Sequence, residues 1–200
     1  MTPQERKTVV INSKNKDQII QGYYIDLHPY VFQHGETIVK LRNQEKSRYN
    51  LNQKETSTTE GQNKWYDGYM KRNDDIYWCI YNKEDKIIGA IRFYNIKYDG
   101  SCCNQGSFII DEVYAMSGPY ALETEILTLD FVFDVLKINK VFNDNRVENK
   151  NMNSISKRIG FKFVEEFELD GARYNLYELT PNNYKKEALK KIFDKWRTRI

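Results

Sequence analysis

The chain has 200 residues and a mass of 23.9 kDa, which is enough for one domain with a sizeable core. Its formal net charge is only +3, and residues 184–200 contain seven Lys/Arg against two acidic residues, so the rest of the chain is slightly acidic. Nucleic-acid binding usually requires a basic face on the body of a protein, so we expect no nucleic-acid partner.

Two further features of the sequence argue against a membrane partner and against a metal site. No apolar run approaches the length of a membrane span, and the N-terminus lacks the apolar segment of a signal peptide, so we expect a cytoplasmic protein with no membrane partner. Cys79, Cys102 and Cys103 do not have the spacing of zinc ligands. We therefore expect reduced thiols and no metal site.

The first 22 residues predict an N-terminal arm or an extra strand, because Val9-Val10-Ile11 forms a short apolar run. The first strand of the domain is predicted over Tyr23–Leu27, and a helix follows it and ends at Leu41-Arg42-Asn43. Residues 44–63 are polar, which is typical of a functional or mobile loop.

A second helix carries Trp65, and Thr58 or Thr59 is placed to cap it. Strands are then predicted over Ile76–Tyr81, Lys86–Asn95 and Cys102–Ile110. Gly89 interrupts the middle strand of the three, as at a β-bulge.

The stretch from Gly106 to Phe161 contains the chemistry-bearing patterns. The apolar run Phe108–Ile110 ends a strand, the breaker Ser117-Gly118-Pro119 follows, and Glu123 opens a long helix that is apolar on most faces. A turn that leads into a buried helix directs free N–H groups at one point, which favours an anion. An ordinary loop entering a core helix is the alternative interpretation.

After the next strand, Asn149 stands twelve residues before Phe161 of a Gly-Phe pair, with a predicted short helix between them. A hairpin follows, with strands over Lys162–Leu169 and Arg173–Leu179 joined by Asp170-Gly171. Residues from 181 onward predict an amphipathic helix. We expect the apolar face of this helix either to pack on its own domain or to form a homodimer contact. This face consists of Leu189, Ile192, Phe193, Trp196 and Ile200.

The frame from Asn149 to Phe161 resembles the second acyl-CoA motif of the GNAT N-acetyltransferases. The earlier turn resembles the first motif of that family more loosely. Ala121 fits its last position, but Pro119 stands where glycine is usual and Met116 replaces Arg/Gln.

The resemblance implies an α/β GNAT fold, whose mixed, mostly antiparallel central sheet is splayed at the acetyl-CoA site with helices on both faces. Residues 23–180 would form this domain, and residues 181–200 would add an extra C-terminal helix. The predicted order of strands and helices is consistent with that fold.

The resemblance also implies acetyl-CoA as the cofactor and backbone N–H groups near Glu112–Tyr114 as the oxyanion site, at a bulge where strands part. Pantetheine amides would pair with the exposed strand edge, and the turn would hold the pyrophosphate. The implied cofactor-binding residues are Val113, Tyr114, Ser117, Gly118, Tyr120, Ala121, Asn143, Asn145, Asn149 and Met152.

The N-terminal half is similar to bacterial acetyltransferases of nucleotide-linked amino sugars, including enzymes of the pseudaminic-acid pathway and of dTDP-linked aminodideoxyhexoses. The implied product is an N-acetylated dTDP- or UDP-sugar for surface polysaccharide, such as O-antigen or capsule. The implied substrate-binding residues are Arg42, Asn43, Arg48, Tyr49, Trp65 and His28. A solvated loop beside a core aromatic, with an ordinary turn histidine, is the alternative.

Direct attack by an amine requires its neutral form, so a weak base suffices. Candidate bases are Glu112 and Asp111, with Asn104 holding a water. Many GNAT enzymes place a tyrosine acid seven residues after the motif asparagine, where this chain has Ser156. Either Ser156 acts through a water or no acid is used, because a thiolate is a good leaving group.

Two further hypotheses remain open from the sequence. One is a GNAT enzyme that acetylates protein N-termini or a small amine. The other is a binding or scaffold module in which nucleic acid contacts the basic tail.

Overall fold

An eight-stranded sheet forms the centre of the computed structural model, which describes residues 1–115 and 118–198. The strand order is β1-β2-β3-β4-β5-β6-β8-β7, and β5–β6 is the parallel pair in an otherwise antiparallel sheet. The strands are β1 Ile20–Gln21, β2 Ile25–Pro29, β3 Ile76–Asn82, β4 Ile87–Tyr94, β5 Cys103–Ile110, β6 Val141–Arg146, β7 Lys162–Leu169 and β8 Ala172–Leu179.

Helices cover both faces of this sheet, as the predicted GNAT fold requires. One face packs against Val10, Leu129 and Ile159, and the other against Ile38 and Tyr69. In the described residues no helix is long and apolar enough to cross a membrane. The helices are α1 Pro3–Asn12, α2 Gly35–Arg42, α3 Glu45–Asn50, α4 Thr59–Lys71, α5 Glu112–Ala115, α6 Tyr120–Asp130, α7 Lys150–Ile159 and α8 Lys186–Arg197.

The parallel pair β5–β6 is short. It pairs from Cys103 with Val141 to Gln105 with Asn143, although both strands continue beyond this point. Past these residues the two strands separate and leave a gap, which we call the β5–β6 gap. The predicted splay in the sheet is therefore confirmed.

Strand β5 contains a bulge just beyond its last pairing with β6. Ala90 pairs with Ile109 and Arg92 with Gly106, so Ser107 and Phe108 both stand opposite one residue of β4. Ser107 takes a left-handed backbone conformation, with φ 48°. An extra residue of this kind increases local twist and bends the strand, which helps to open the gap.

Several local predictions are confirmed. The Thr58 side chain caps α4 by accepting the Gly61 N–H at 3.1 Å. A register shift occurs beside Gly89, where an added Cβ would lie 2.4 Å from the carbonyl oxygen of Ile109. Asp170 and Gly171 both have positive φ, as a two-residue hairpin requires.

The prediction of a strand at Val9–Ile11 is wrong, because these residues lie in α1. Thr2 and Glu5 form a capping box at the start of that helix, and Pro3 occupies its first turn. These local signals favour a helix over the strand preference of a short β-branched run. Ile20–Gln21 forms the short strand in this region instead.

The predicted loop over residues 44–63 is also partly helical, since α3 occupies Glu45–Asn50. The C-terminal helix packs on its own domain, with Leu189 fully buried and the Phe193 ring 5.5 Å from that of Tyr24. Trp196 on the same helix remains 40% exposed, and Ile200 lies outside the described residues.

Arg6 anchors α1 to the rest of the fold. Its buried guanidinium donates to the carbonyl oxygens of Leu136 at 2.7 Å, Lys137 at 3.4 Å and Tyr98. Leu136 and Lys137 directly follow a π-helical turn, Phe131–Val135, that continues α6. Arg6 therefore satisfies carbonyl groups where the central helix ends.

We expect Arg6→Ala to lower the free energy of unfolding by about 3 kcal/mol, since it leaves buried carbonyl groups without a charged donor. Urea unfolding measures this loss. Lys16→Ala removes an exposed cation and should change stability by less than about 0.5 kcal/mol. Equal losses in the two variants would contradict an anchoring role for Arg6.

Candidate active site

The bulge turns backbone N–H groups of β5 toward the β5–β6 gap. Before the bulge, the Cys103 N–H donates toward β6, to the Lys140 oxygen at 3.0 Å. After it, the Asp111 N–H donates toward β4, to the Ile88 oxygen at 2.7 Å. N–H directions alternate along a strand, so the extra residue leaves the N–H groups of Phe108 and Ile110 facing the gap.

The expected bulge and oxyanion site near Glu112–Tyr114 are misplaced, because β5 ends at Ile110 and α5 follows. The Asp111 side chain accepts the Val113 N–H at 2.9 Å, and its carbonyl oxygen accepts the Tyr114 N–H at 2.9 Å. The Glu112 N–H donates to Gln44 at 3.3 Å. These donors are occupied, whereas those of the bulge face the gap.

Helix α6 follows the end of β5 in the chain, and its first N–H groups have no partner within the helix. Its N-cap residue is Pro119, which has no side-chain acceptor, and Tyr120 and Ala121 form its first turn. Gly118 precedes them with a positive φ, while Met116 and Ser117 lie outside the described residues. A helix start of this kind favours an anion, and the pyrophosphate site expected from the sequence stays a prediction.

Glu123 fixes the position of this helix end. Its buried carboxylate accepts the backbone N–H groups of Tyr24 at 2.8 Å, Ile25 at 3.0 Å and Tyr23. These contacts bind the first turn of α6 to the start of β2. Burial nevertheless raises the pKa of Glu123, and the three N–H groups oppose that rise.

A cluster of buried polar side chains lies where the gap begins, on the face that carries α6 and α7. The Gln105 amide donates to both carboxylate oxygens of Glu125 at 2.9 Å. Among the described residues, Gln105 Oε1 and Asn143 Oδ1 are buried without a hydrogen-bond partner. Burial raises the pKa of Glu125 to about 7.

Helix α7 brings the motif residues to the same face. The Asn145 amide donates to Ser156 Oγ at 3.0 Å, and Ser156 is buried. Asn149 caps α7 by accepting the Met152 N–H at 3.1 Å. The strand edge, the unpaired amide oxygens and the N-terminus of α6 together fit a long ligand with amide groups and a pyrophosphate, as acetyl-CoA has.

A pocket of about 340 Å³ opens over the bulge on the opposite face of the sheet; we call it the bulge pocket. Arg42, Trp65, Tyr77, Arg92 and Ser107 contribute to its wall. Tyr77 is 2% exposed, and its hydroxyl has no hydrogen-bond partner among the described residues. The Arg92 guanidinium lies 5.1 Å from the centre of the Trp65 ring.

A second pocket of about 390 Å³, here called the arginine pocket, includes Arg48, Tyr49, Lys54 and Arg146. Arg146 donates to the Tyr49 carbonyl oxygen at 2.7 Å, and its guanidinium lies 4.0 Å from the Tyr49 ring centre. The buried Nε of Arg48 has no hydrogen-bond partner among the residues described. That of Arg146 is 3.7 Å from the Glu148 carboxylate, too far for a hydrogen bond.

Asn43 also lies at this pocket, but its amide holds the following loop in place. Its oxygen accepts the Gln53 amide at 3.1 Å and the Ser57 N–H at 2.8 Å, and its nitrogen donates to the Ser57 oxygen at 2.9 Å. Helix α3 is thereby positioned across the open end of the gap. It contacts Arg146 through Tyr49, and Glu112 Oε1 accepts the Lys46 N–H at 3.3 Å.

His28 does not lie at this site. It is on β2, which β3 and β4 separate from β5, and its ring stacks at 4.2 Å on Tyr81. Asn104, by contrast, lies just before the gap, where it pairs with Phe142 of β6 on one side and with Tyr94 of β4 on the other.

Sequence reasoning missed Tyr94, Arg92, Arg146 and Asp144. The strand pattern of β6 contained the signal for Asp144, because alternate residues of a strand face opposite sides. Asn143 and Asn145 are buried toward the helices, so Asp144 between them faces the side of the bulge pocket. The arginines had no comparable local signal.

The acetyltransferase (GNAT) domain family matches residues 25–162, more than half of the chain. The chain therefore belongs to the GNAT acetyltransferases, and it is an acetyl-CoA-dependent N-acetyltransferase. No match was found among curated protein sequences.

Solved structures share the fold. A GCN5-related N-acetyltransferase from Brucella melitensis is 22% identical with a TM-score of 0.73, over 92% of this chain and 86% of that one. Apo FdhC, a nucleotide-linked sugar GNAT, is 20% identical with a TM-score of 0.73, over 88% and 97%. Spermidine N-acetyltransferase from Vibrio cholerae, in complex with CoA and spermine, is 16% identical with a TM-score of 0.73, over 80% and 98%.

The buried Glu125 should make stability depend on pH. The folded state holds its proton up to about pH 7, whereas the unfolded carboxyl ionises near 4.5, so its stabilising contribution is complete below pH 4.5 and is lost as pH rises through 7. We expect the free energy of unfolding of Glu125→Gln, relative to that of the wild type, to increase by on the order of 3 kcal/mol between pH 4.5 and 8. Urea unfolding of both proteins across this pH range measures the difference.

The matched control is Glu165→Gln, which changes an exposed carboxyl on β7. Its stability should follow that of the wild type across the same pH range. A parallel response of Glu125→Gln and wild type would show that Glu125 does not retain its proton.

Proposed function

We propose that the protein transfers the acetyl group of acetyl-CoA to the amine of a dTDP- or UDP-linked amino-deoxy sugar, for surface polysaccharide or glycan synthesis. The supporting observation is the pair Arg48 and Arg146, whose buried Nε donors have no hydrogen-bond partner among the described residues. Planar arginine donors suit the oxygens of a diphosphate. FdhC, with the same fold, is itself a nucleotide-linked sugar GNAT.

The two pockets suit the two parts of such a substrate. Tyr49 is half exposed with Arg146 on one ring face, so its other face can stack on a nucleobase. Lys54 adds a positive charge to the arginine pocket. The bulge pocket offers Trp65 and the free Tyr77 hydroxyl to a sugar, beside the backbone that faces the gap. Arg42 supplies a further cation at its wall.

The cofactor residues take complementary roles in this proposal. Bound acetyl-CoA supplies an acetyl group activated as a thioester. The N–H groups of Phe108 and Ile110 pair with amides and stabilise the carbonyl oxygen, and the N-terminus of α6 binds the pyrophosphate. The cofactor-binding residues expected from the sequence keep that role in the proposal: Val113, Tyr114, Gly118, Tyr120, Ala121, Asn143, Asn145, Asn149 and Met152, with Ser117 outside the described residues.

A cationic polyamine, as bound by the spermidine enzyme, is the competing acceptor. Such a ligand prefers an acidic cleft, whereas Arg42, Arg48 and Arg146 lie at the acceptor pockets here. The charge of Arg92 is already neutralised by its ion pair with the buried Asp75. The charge pattern therefore favours an anionic acceptor.

We expect acetyl-CoA and one nucleotide-sugar series to raise the melting temperature, in a panel of dTDP-, UDP- and GDP-linked amino sugars and spermidine. A ligand at a hundred times its Kd stabilises by about 2.7 kcal/mol. Arg48→Ala should raise KM for the nucleotide sugar about 10- to 100-fold without changing KM for acetyl-CoA.

Arg173→Ala removes an exposed arginine on β8 and should leave both KM values unchanged. Stabilisation and turnover with spermidine, and none with any nucleotide sugar, would overturn the proposed acceptor.

We further propose that the leaving thiolate needs no side-chain acid. Ser156 is buried and its oxygen accepts the Asn145 amide, so it is placed for orientation rather than for proton supply. Ser156→Ala should lower kcat less than about tenfold between pH 7 and 9, because a thiol of ordinary pKa leaves readily. A loss on the order of a hundredfold or more would instead make Ser156 the acid.

A further inference from the structure

Asp144 occupies the position on β6 where the gap opens. It is one residue beyond Asn143, the last residue of β6 that pairs with β5. Continuing that register places Asp144 across the gap from Gly106, directly before the bulge at Ser107 and Phe108. Its side chain faces the acceptor side, because its neighbours Asn143 and Asn145 are buried toward the helices.

The surroundings of Asp144 combine space with partial desolvation. Gly106 gives room for the Tyr94 ring, since a Cβ there would lie 3.0 Å from Tyr94 Cε1. Tyr94 reaches toward Asn104 and interacts electrostatically with Asp144. Tyr174 on β8 and Arg146 on β6 are further titratable or charged groups of the surroundings, and the Arg92 guanidinium lies 5.0 Å from the centre of the Tyr94 ring.

Desolvation raises the pKa of Asp144, although the residue is exposed to solvent. A carboxylate whose pKa is raised in this way is a stronger base than one in open water.

We propose that Asp144 is the catalytic residue that receives the proton of the acceptor amine, with Tyr94 and Asn104 positioning it. The neutral amine nitrogen forms a bond to the thioester carbonyl carbon, and the C–S bond breaks. One N–H proton passes to the Asp144 carboxylate and then to solvent, and the CoA thiolate takes up one proton from solvent.

The bases expected from the sequence are less well placed. Glu112 follows the bulge by four residues, on the order of 10 Å along the chain. Its carboxylate accepts the Lys46 N–H at 3.3 Å. The Asp111 carboxylate accepts the Val113 N–H at 2.9 Å, so it holds the first turn of α5.

The inference rests on the acetyltransferase chemistry and on an amine acceptor, but not on the nucleotide. The test compares Asp144→Asn with Glu112→Gln, which removes the alternative carboxylate. The acceptor probes are dTDP-4-amino-4,6-dideoxyglucose and spermidine. Slow hydrolysis of acetyl-CoA without an acceptor is also measured, since an attacking water must lose a proton in the same place.

We expect Asp144→Asn to lower kcat about a hundredfold at pH 7 with whichever probe is acetylated, while KM for acetyl-CoA stays unchanged. The defect should shrink below tenfold at pH 9.5, where hydroxide can take the N–H proton in place of Asp144. A defect from misfolding alone would not vary in this way. Glu112→Gln should lower kcat by less than Asp144→Asn does at the same pH.

A pH-independent loss in Asp144→Asn, or a larger loss in Glu112→Gln, would overturn the assignment. Failure of the nucleotide sugar with turnover of spermidine would overturn the proposed acceptor alone. If neither probe is acetylated, the hydrolysis rates decide: a tenfold or greater fall confined to Asp144→Asn supports the role, and equal rates overturn it.

Discussion

The early separation of β5 from β6 is the constraint on which the other features of the site depend. A parallel pair that ended further along would occupy the N–H groups of Phe108 and Ile110 and leave no room for a ligand between the strands. The bulge at Ser107 keeps the strands apart and reverses the direction of the N–H groups beyond it. One irregular residue therefore creates both the gap and its hydrogen-bond donors.

Opening a sheet exposes its interior, and the side chains beneath the gap are accordingly polar. Gln105 and Asn143 each keep a buried oxygen without a partner among the described residues, which costs stability in the absence of a ligand. Glu123 and Arg6 offset such costs elsewhere by satisfying backbone groups at the two ends of the central helical segment. The helix whose N-terminus meets the gap is thus held at both ends.

The two faces of the gap differ in charge. Amides and the buried Glu125 lie on the face that carries α6 and α7, whereas Arg42, Arg48 and Arg146 lie at the pockets of the opposite face. Helix α3 joins the two strands across the open end, through Tyr49 on one side and Lys46 on the other. An acceptor bound by the arginines of these pockets would reach the gap beside Asp144. The arginines and the proposed base would therefore act on different parts of one substrate.

The sequence alone determined the order of the main elements, the cap of α4 at Thr58 and the Asp170-Gly171 hairpin, because local spacing and turn chemistry specify these features. The splayed sheet followed from the resemblance to the GNAT family. The tertiary structure decided the rest. The position of the bulge depends on pairing with β4, which no local pattern records, so the expected donors at Glu112–Tyr114 were misplaced. Capping at Thr2 and burial of Val10 made Val9–Ile11 helical. Arg48 and Arg146 are far apart in the chain, and only folding brings them into one pocket.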